Sequence, residues 1–330
     1  MKLAIAFAAS ALLLLPQARA LPAQASAAGD LSGAKQDFDS GDYASAIQLL
    51  RALVSQNAGG AEAHYWLGRC YYEMKNSNDS VAEFAAAAQA DPNSSLYHQW
   101  LGRAYGEKAD RDKSFLSARK VKKEFEEAIK LDPSNISARR DLEDYLLEAP
   151  WIVGGSKEDA LDQVQAIENL DPVEGHLARA DYDAHLGKND DAAKEYAAVL
   201  DPTPQHIEVY FQIADFYGKQ ADGTQVDRMA LEAEKINPKD PRLAYYHGEA
   251  RVLMGSDFGV AEQDLKSYLA ATPDRSDWPS HSAARYWLGR LYELEGKKMD
   301  AAEQYRASLQ LDPGRKDAKR RLDQLEKSIH

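Results

Sequence analysis

A single cysteine, Cys70, stands in 330 residues. An intramolecular disulfide is therefore excluded, and so is a zinc site built chiefly of thiolates. Basic charge is also short: 40 Lys and Arg face 53 Asp and Glu, for a formal net charge of −13. Nucleic acid is not an expected partner, because neutralising phosphates needs a basic surface. The longest apolar run, Leu3 to Leu15, has 13 residues, short of the ~20 that a membrane-spanning helix needs. Chemistry-bearing motifs are equally scarce. Gly154-Gly155-Ser156-Lys157 lacks the spacing of a phosphate loop and follows no strand. Ser32-Gly33-Ala34-Lys35 and Ser117-Ala118-Arg119-Lys120 match Ser-x-x-Lys without the companion motifs of a serine hydrolase. Asp37-Phe38-Asp39-Ser40-Gly41 imitates a calcium loop, but its Gly comes one place early and no Glu closes it. The eight histidines form no His-Glu-x-x-His pair. Asp181 and His185 lie four apart, close enough on a helix for a hydrogen bond, with no nucleophile marked beside them. No catalytic residue, metal site or cofactor is expected, and Cys70 reads as an inert core residue.

What is present begins with an address. Lys2 is a positive n-region, Leu3 to Leu15 an apolar h-region, and Ala18-Arg19-Ala20 a small-x-small cleavage signal. Residues 1–20 are expected to be a signal peptide, and the protein to be exported, periplasmic or secreted, without an integral membrane segment after cleavage. With no cysteine at the cleavage site, a lipid anchor is not expected. The mature chain keeps 38 basic against 53 acidic side chains, hence −15. Residues 21–30 mix Ala, Pro and Ser without periodicity and read as a flexible leader.

The remainder is periodic. Trp66-Leu67-Gly68-Arg69-Cys70-Tyr71 recurs as Trp100-Leu101-Gly102-Arg103-Ala104-Tyr105 and as Trp287-Leu288-Gly289-Arg290-Leu291-Tyr292. Pro92, Pro133, Pro172, Pro202, Pro238, Pro273 and Pro313 follow Asp, Asn or Thr at intervals of 30 to 41 residues. Such a period means a solenoid in which each unit stacks only on its neighbours. Within each unit two runs of helical apolar spacing flank a short turn, as at Gly41-Asp42, Lys75-Asn76-Ser77, Gly187-Lys188-Asn189 and Gly296-Lys297. Gly68, Gly102, Ala214, Gly248 and Gly289 sit where two helices must touch closely. Asp-Pro then ends the second helix, since Pro lacks the amide that a continued helix needs. Length alone would allow about two domains; the unbroken period leaves one solenoid.

These residues resemble the tetratricopeptide repeat (TPR), with Leu67, Gly68, Tyr71, Ser80, Phe84, Ala87 and Pro92 at its signature positions. The resemblance implies an all-α, right-handed superhelical α-solenoid of about eight helical hairpins. We divide it as 27–60, 61–94, 95–135, 136–172, 173–206, 207–240, 241–281 and 282–315. A capping helix, 316–329, follows, with Leu322 and Leu325 inward, and the solenoid spans 31–329. His64 and His98 recur because they share one repeat position, a structural reason.

Two departures from the repeat stand out. The third repeat separates Tyr105 from Val121 by sixteen residues where nine is usual. It gathers Lys108, Arg111, Lys113, Arg119, Lys120, Lys122 and Lys123 against Asp110 and Asp112. An elongated, solvated helix pair accounts for this, and a docking site for an acidic partner is the alternative. The fourth repeat carries an insertion of five within Ala149-Pro150-Trp151-Ile152-Val153-Gly154-Gly155-Ser156. Pro150 ends a helix and Gly154 and Gly155 permit positive φ, so Trp151 and Ile152 ride on a shaped loop. We expect Trp151 to pack on the solenoid, with recognition as the alternative. The loop is similar to a Pro-x-x-x-Gly-Gly segment of other exported bacterial TPR proteins.

In the family, first helices line a concave groove through repeat positions 2, 5, 9, 12 and 13. Position 9 here reads Lys35, Arg69, Arg103, Asp144, Asp181, Asp215, Glu249, Arg290, with its signs sorted. Solvated charge and ladders between helices would account for that pattern. The sharper expectation is a polar-divided groove for a protein or peptide, its acidic segment near Arg69 and Arg103 and its basic segment near Asp181, Asp215 and Glu249. Tyr65, Tyr72, Gln99, Phe211, Tyr245 and Tyr286 should interleave as contacts. Chaperone-binding members carry Asn at position 9 in a carboxylate clamp, and this chain has none there. The resulting expectation is a non-catalytic envelope scaffold. The alternative is an accessory to an envelope enzyme, or a binder of a small molecule, glycan or peptide in the same groove. The identity of the partner and the oligomeric state are not written in the sequence.

Overall fold

The computed structural model describes residues 23–56, 58–201 and 203–329; the signal peptide read in residues 1–20 lies outside them. Among the described residues the chain is helical throughout, without strands. Eight antiparallel hairpins follow one another: α1 (Ala23–Asp39) with α2 (Tyr43–Ser55), α3 (Gly60–Glu73) with α4 (Ser77–Ala90), α5 (Ser95–Asp112) with α6 (Phe115–Leu131), α7 (Ile136–Glu148) with α8 (Lys157–Leu170), α9 (Pro172–His185) with α10 (Asn189–Val199), α11 (Ile207–Lys219) with α12 (Gly223–Ile236), α13 (Arg242–Met254) with α14 (Phe258–Ala271), and α15 (His281–Leu294) with α16 (Lys298–Leu311). Helix α17 (Lys316–Ile329) covers the last hairpin, burying Ala318 and Leu325 with Leu322 beside them. Each helix packs on the next along the chain, and the first helices of several neighbouring hairpins also touch. That sequential contact is what makes a solenoid.

Local chemistry sets the hairpins. Asp42, Asn76, Ser94, Ser114, Asn135, Ser156, Asp222 and Ser280 each accept a backbone N–H of the first turn they precede, satisfying an amide the helix leaves unpaired. The small residues do allow close approach: a Cβ on Gly102 would lie 2.5 Å from the Phe125 ring, and one on Gly289 2.6 Å from the Tyr305 ring. Prolines 92, 133, 238, 273 and 313 fall just beyond helix C-termini. Pro172 also falls two residues past the end of α8 and has a second role. It opens α9, with Asp171 accepting from the amides of Val173 and Glu174, because the N1 position needs no amide proton. Pro202 lies outside the described residues. The leader reading is corrected in part, since residues 23–30 belong to α1.

The seven extra residues of the third hairpin lengthen both helices, to 18 and 17 residues. Those of the fourth build a 3-10 turn, Trp151–Val153. Gly154 closes the turn at φ +108, and a Cβ on Gly155 would fall 1.8 Å from the Ala149 carbonyl oxygen, so only glycine fits there.

The superhelix also returns on itself. The segment between α14 and α15 reaches the first two hairpins, where the Ser276 amide and hydroxyl donate to the Glu73 carboxylate at 2.8 and 2.9 Å. Arg275 lies 5.9 Å from the Phe38 ring. Gly41, at φ +81, lies so close to Pro273 that a Cβ would approach it to 2.5 Å. Residues 203 apart in sequence are thus in contact, and the segment between α14 and α15 packs on the first two hairpins.

Candidate partner groove

The position 9 residues project from the first helices, and most meet position 6 of the following repeat. Lys35 lies 5.4 Å from the Trp66 ring and Arg69 3.9 Å from the Trp100 ring. Arg103 donates to Asp141 at 2.7 Å. Asp181 accepts from Gln212 at 2.7 Å, and Asp215 from the Tyr246 hydroxyl at 3.0 Å. Opposite Asp144 the position 6 residue is Ala178, and the Asp144 carboxylate makes no hydrogen bond or ion pair.

Ion pairs and ring contacts engage every basic side chain at position 9. Lys35 pairs with Glu62 at 2.6 Å, Arg103 with Asp141, and Arg290 with Glu293 at 3.0 Å. Arg69 lies among Phe38, Trp66 and Trp100, with Glu73 3.8 Å away. Asp181 is compensated too, bonded to Arg140 and to the Tyr196 hydroxyl. It does not bond His185, as the four-residue spacing had suggested, because Arg140 and Tyr196 occupy its oxygens.

Three position 9 carboxylates have no cation paired with them. Asp144 and Asp215 reach water at the groove floor yet have protein on most sides, and that crowding pushes each carboxyl up to about 6. Glu249 is buried against Gly218, and burial, reinforced by Asp215, pushes it up to about 8. Asp144, Asp181 and Asp215 line a cavity of about 520 Å3 together with Arg140, Glu148, His185, Tyr196, Gln212, Lys219 and others. It holds four carboxylates against two cations, a polar recess whose charge favours a positive occupant.

Several expected contact residues are corrected. Tyr65, Gln99, Phe211, Tyr245 and Glu249 are buried, so they join one repeat to the next and offer a partner little surface. Gln99 donates to Ser137 and Asp141, each at 2.7 Å. Phe211 stacks on Tyr246 with centroids 4.7 Å apart, and Trp287 donates to the Tyr245 hydroxyl at 3.1 Å. Tyr72 and Tyr286 are half-buried. Trp151 is corrected in the opposite sense: it is 84 % exposed and Ile152 51 %, because Val153, not Trp151, is the residue of that turn that packs inward. The site residues missed by sequence are Arg140, Asp141, Tyr196 and Gln212. Polar residues at positions 5 and 6 of the next repeat were the signal for three of them.

His64 and His98 join helices of their hairpins: His64 pairs with Glu83 at 2.7 Å and His98 with Glu124 at 2.8 Å. Cys70 is fully buried, and burial pushes its thiol up to about 12, so it stays an unreactive thiol. No helix among the described residues is long and apolar enough to cross a membrane.

Comparison with known proteins agrees with this architecture. Residues 37–104 and 255–316 match family models described as tetratricopeptide repeat. No curated protein matches. Among solved structures, a thermophilic TPR protein of Thermus thermophilus is 18% identical over 58% of this chain and 98% of its own, with a TM-score of 0.47. A tetratricopeptide repeat protein from Parabacteroides merdae is 13% identical over 92% and 99%, also at 0.47. The APC/C hetero-tetramer Cut9-Hcn1 contains a chain 11% identical over 90% of this one and 55% of its own, with a TM-score of 0.51. That last likeness speaks for the fold alone. Residues 37–104 and 255–316 are thus tetratricopeptide repeats, set in an all-helical solenoid.

Proposed function

We propose that this chain is a non-catalytic adaptor of the bacterial envelope that holds a protein or peptide segment in its concave groove, with basic side chains of that segment seated between α7, α9 and α11. The observation that carries this reading is the pair of carboxylates left without a paired cation at Asp144 and Asp215, both on the cavity wall. A lysine or arginine entering there would meet negative charge in partly desolvated surroundings, where ion pairing is stronger than in open water. Arg69 and Arg103 do not support a matching site for an acidic segment, since each is already engaged within the chain. Export rests on Lys2, the Leu3 to Leu15 run and Ala18-Arg19-Ala20.

Crosslinking and affinity capture from the native envelope fraction, read by mass spectrometry, tests the proposal. A captured protein should be lost from the double variant Asp144→Lys, Asp215→Lys, with crosslinks mapping to α7, α9 and α11. Capture that survives the double variant, or crosslinks confined to the convex second helices, would contradict it.

A further inference from the structure

The two insertions lie side by side. The Tyr145 hydroxyl is 2.7 Å from the Ala118 carbonyl on α6 and 2.8 Å from the Val153 carbonyl of the inserted turn, its one proton shared between them. Gly154 rests near the Lys122 stem, where a Cβ would come within 3.1 Å of Cδ. The turn is thus fixed against residues 118–122, one helical turn beyond Phe115 and Leu116. Phe115 is 64 % exposed and Leu116 76 % at the start of α6, and Trp151 and Ile152 are exposed on the turn.

Charge continues from this apolar tip along α6. Leu116, Arg119, Lys120 and Lys123 are spaced i, i+3, i+4, i+7 and all are exposed, so they form one stripe. Arg119 and Lys123 make no ion pair, and the Lys120 amine lies 4.8 Å from the Tyr105 ring. Many other cations of this acidic chain are paired internally, as Arg140 is with Asp181 and Arg251 with Asp264. Here the chain leaves its cations in water next to large apolar side chains.

We propose that this tip docks on the surface of a bilayer containing anionic lipid. Its aromatic and aliphatic groups protrude, whereas protein hot spots sit in packed pockets. A tryptophan with neighbouring leucine, phenylalanine and isoleucine can enter the boundary between headgroups and acyl chains while adjacent Arg and Lys meet anionic headgroups. The chain's overall negative charge does not prevent this, because charges farther than about 8 Å are largely screened at physiological salt. Pro150, Gly154 and Gly155 hold Trp151 outward before any contact is made, so little ordering is required on docking.

Flotation of the full chain with vesicles tests this. The parent should bind phosphatidylcholine vesicles containing phosphatidylglycerol, and bind vesicles of phosphatidylcholine alone far less. Trp151→Ser with Leu116→Ser, and separately Arg119→Glu with Lys123→Glu, should each weaken binding by at least about tenfold. All four residues are exposed, so unchanged thermal midpoints should accompany the loss. Brominated lipid should quench a fraction of the parent's tryptophan fluorescence that is absent from Trp151→Phe. Equal binding by parent and variants overturns the proposal, whether residues 3–15 drive it or the tip serves a protein. So does equal binding to the two kinds of vesicle.

Discussion

Substituting Glu143 with glutamine should raise the thermal midpoint of the chain at pH 8 and leave it nearly unchanged near pH 4. Glu143 on α7 is completely buried, and neither of its carboxylate oxygens has a hydrogen-bond partner. Its nearest cation, Arg140, is 3.9 Å away and already bonded to Asp181. Burial outweighs that attraction and pushes the carboxyl up to about 8. The unfolded chain has an ordinary carboxyl near 4.3, so the folded chain holds this proton more tightly. A raised pKa of this kind contributes stability that is fully present below the unfolded value and is lost as pH rises through about 8. Glutamine keeps the shape without the ionisation, and the gain at pH 8 should be on the order of a few kcal/mol. Thermal midpoints of parent and variant across this range check it. A difference that does not change with pH would mean that Glu143 titrates normally in the folded chain.

Reversing Arg69 and Arg103 to glutamate should unfold the N-terminal hairpins and leave no groove whose selectivity could be compared. Arg103 pairs with Asp141 and also donates to Ser137, and both groups are largely shielded from water. Breaking such a pair typically costs about 3–5 kcal/mol, because the remaining partner stays buried and unpaired. A glutamate at 103 would add repulsion from Asp141. At position 69 the guanidinium is flanked by Phe38, Trp66 and Trp100, and its Nε is buried. A carboxylate there would stand beside Glu73, which already binds Ser276, and would disturb the contact that closes the superhelix. Far-UV circular dichroism during urea unfolding should show an early transition for each single variant. Transitions coincident with the parent's would mean that the two arginines are solvated groups available to a partner.

The hairpins were legible because they depend on local chemistry. The Trp-Leu-Gly-Arg units, the turn residues and the prolines that follow Asp or Asn all act within one repeat. The groove was less legible because its charges are settled between repeats. Arg103 finds Asp141 38 residues away and Arg140 finds Asp181 41 residues away, so the sorted signs at position 9 misrepresent the exposed charge unless position 6 of the next repeat is read with them. With that pairing applied, the basic third of the groove is compensated and the acidic part stands out at Asp144. Trp151 was misread for a related reason. A five-residue insertion does not say which of its apolar residues turns inward, and Tyr145 and Val153 decide that through hydrogen bonding and packing. The contact between Ser276 and Glu73 has no sequence signal at all, since it depends on the turn accumulated from the second hairpin to the seventh.

Fluorescence anisotropy with short extended peptides of matched length, lysine-rich, glutamate-rich and neutral, measures the claim about the groove most directly. The lysine-rich peptide should bind best at pH 7.5. Its affinity should fall as pH drops through about 6, where Asp144 and Asp215 take up protons, and should be lost in the double variant Asp144→Asn, Asp215→Asn. Preference for the glutamate-rich peptide, or binding of the lysine-rich one that ignores both the pH change and the double variant, would contradict an acidic groove built to hold a basic segment.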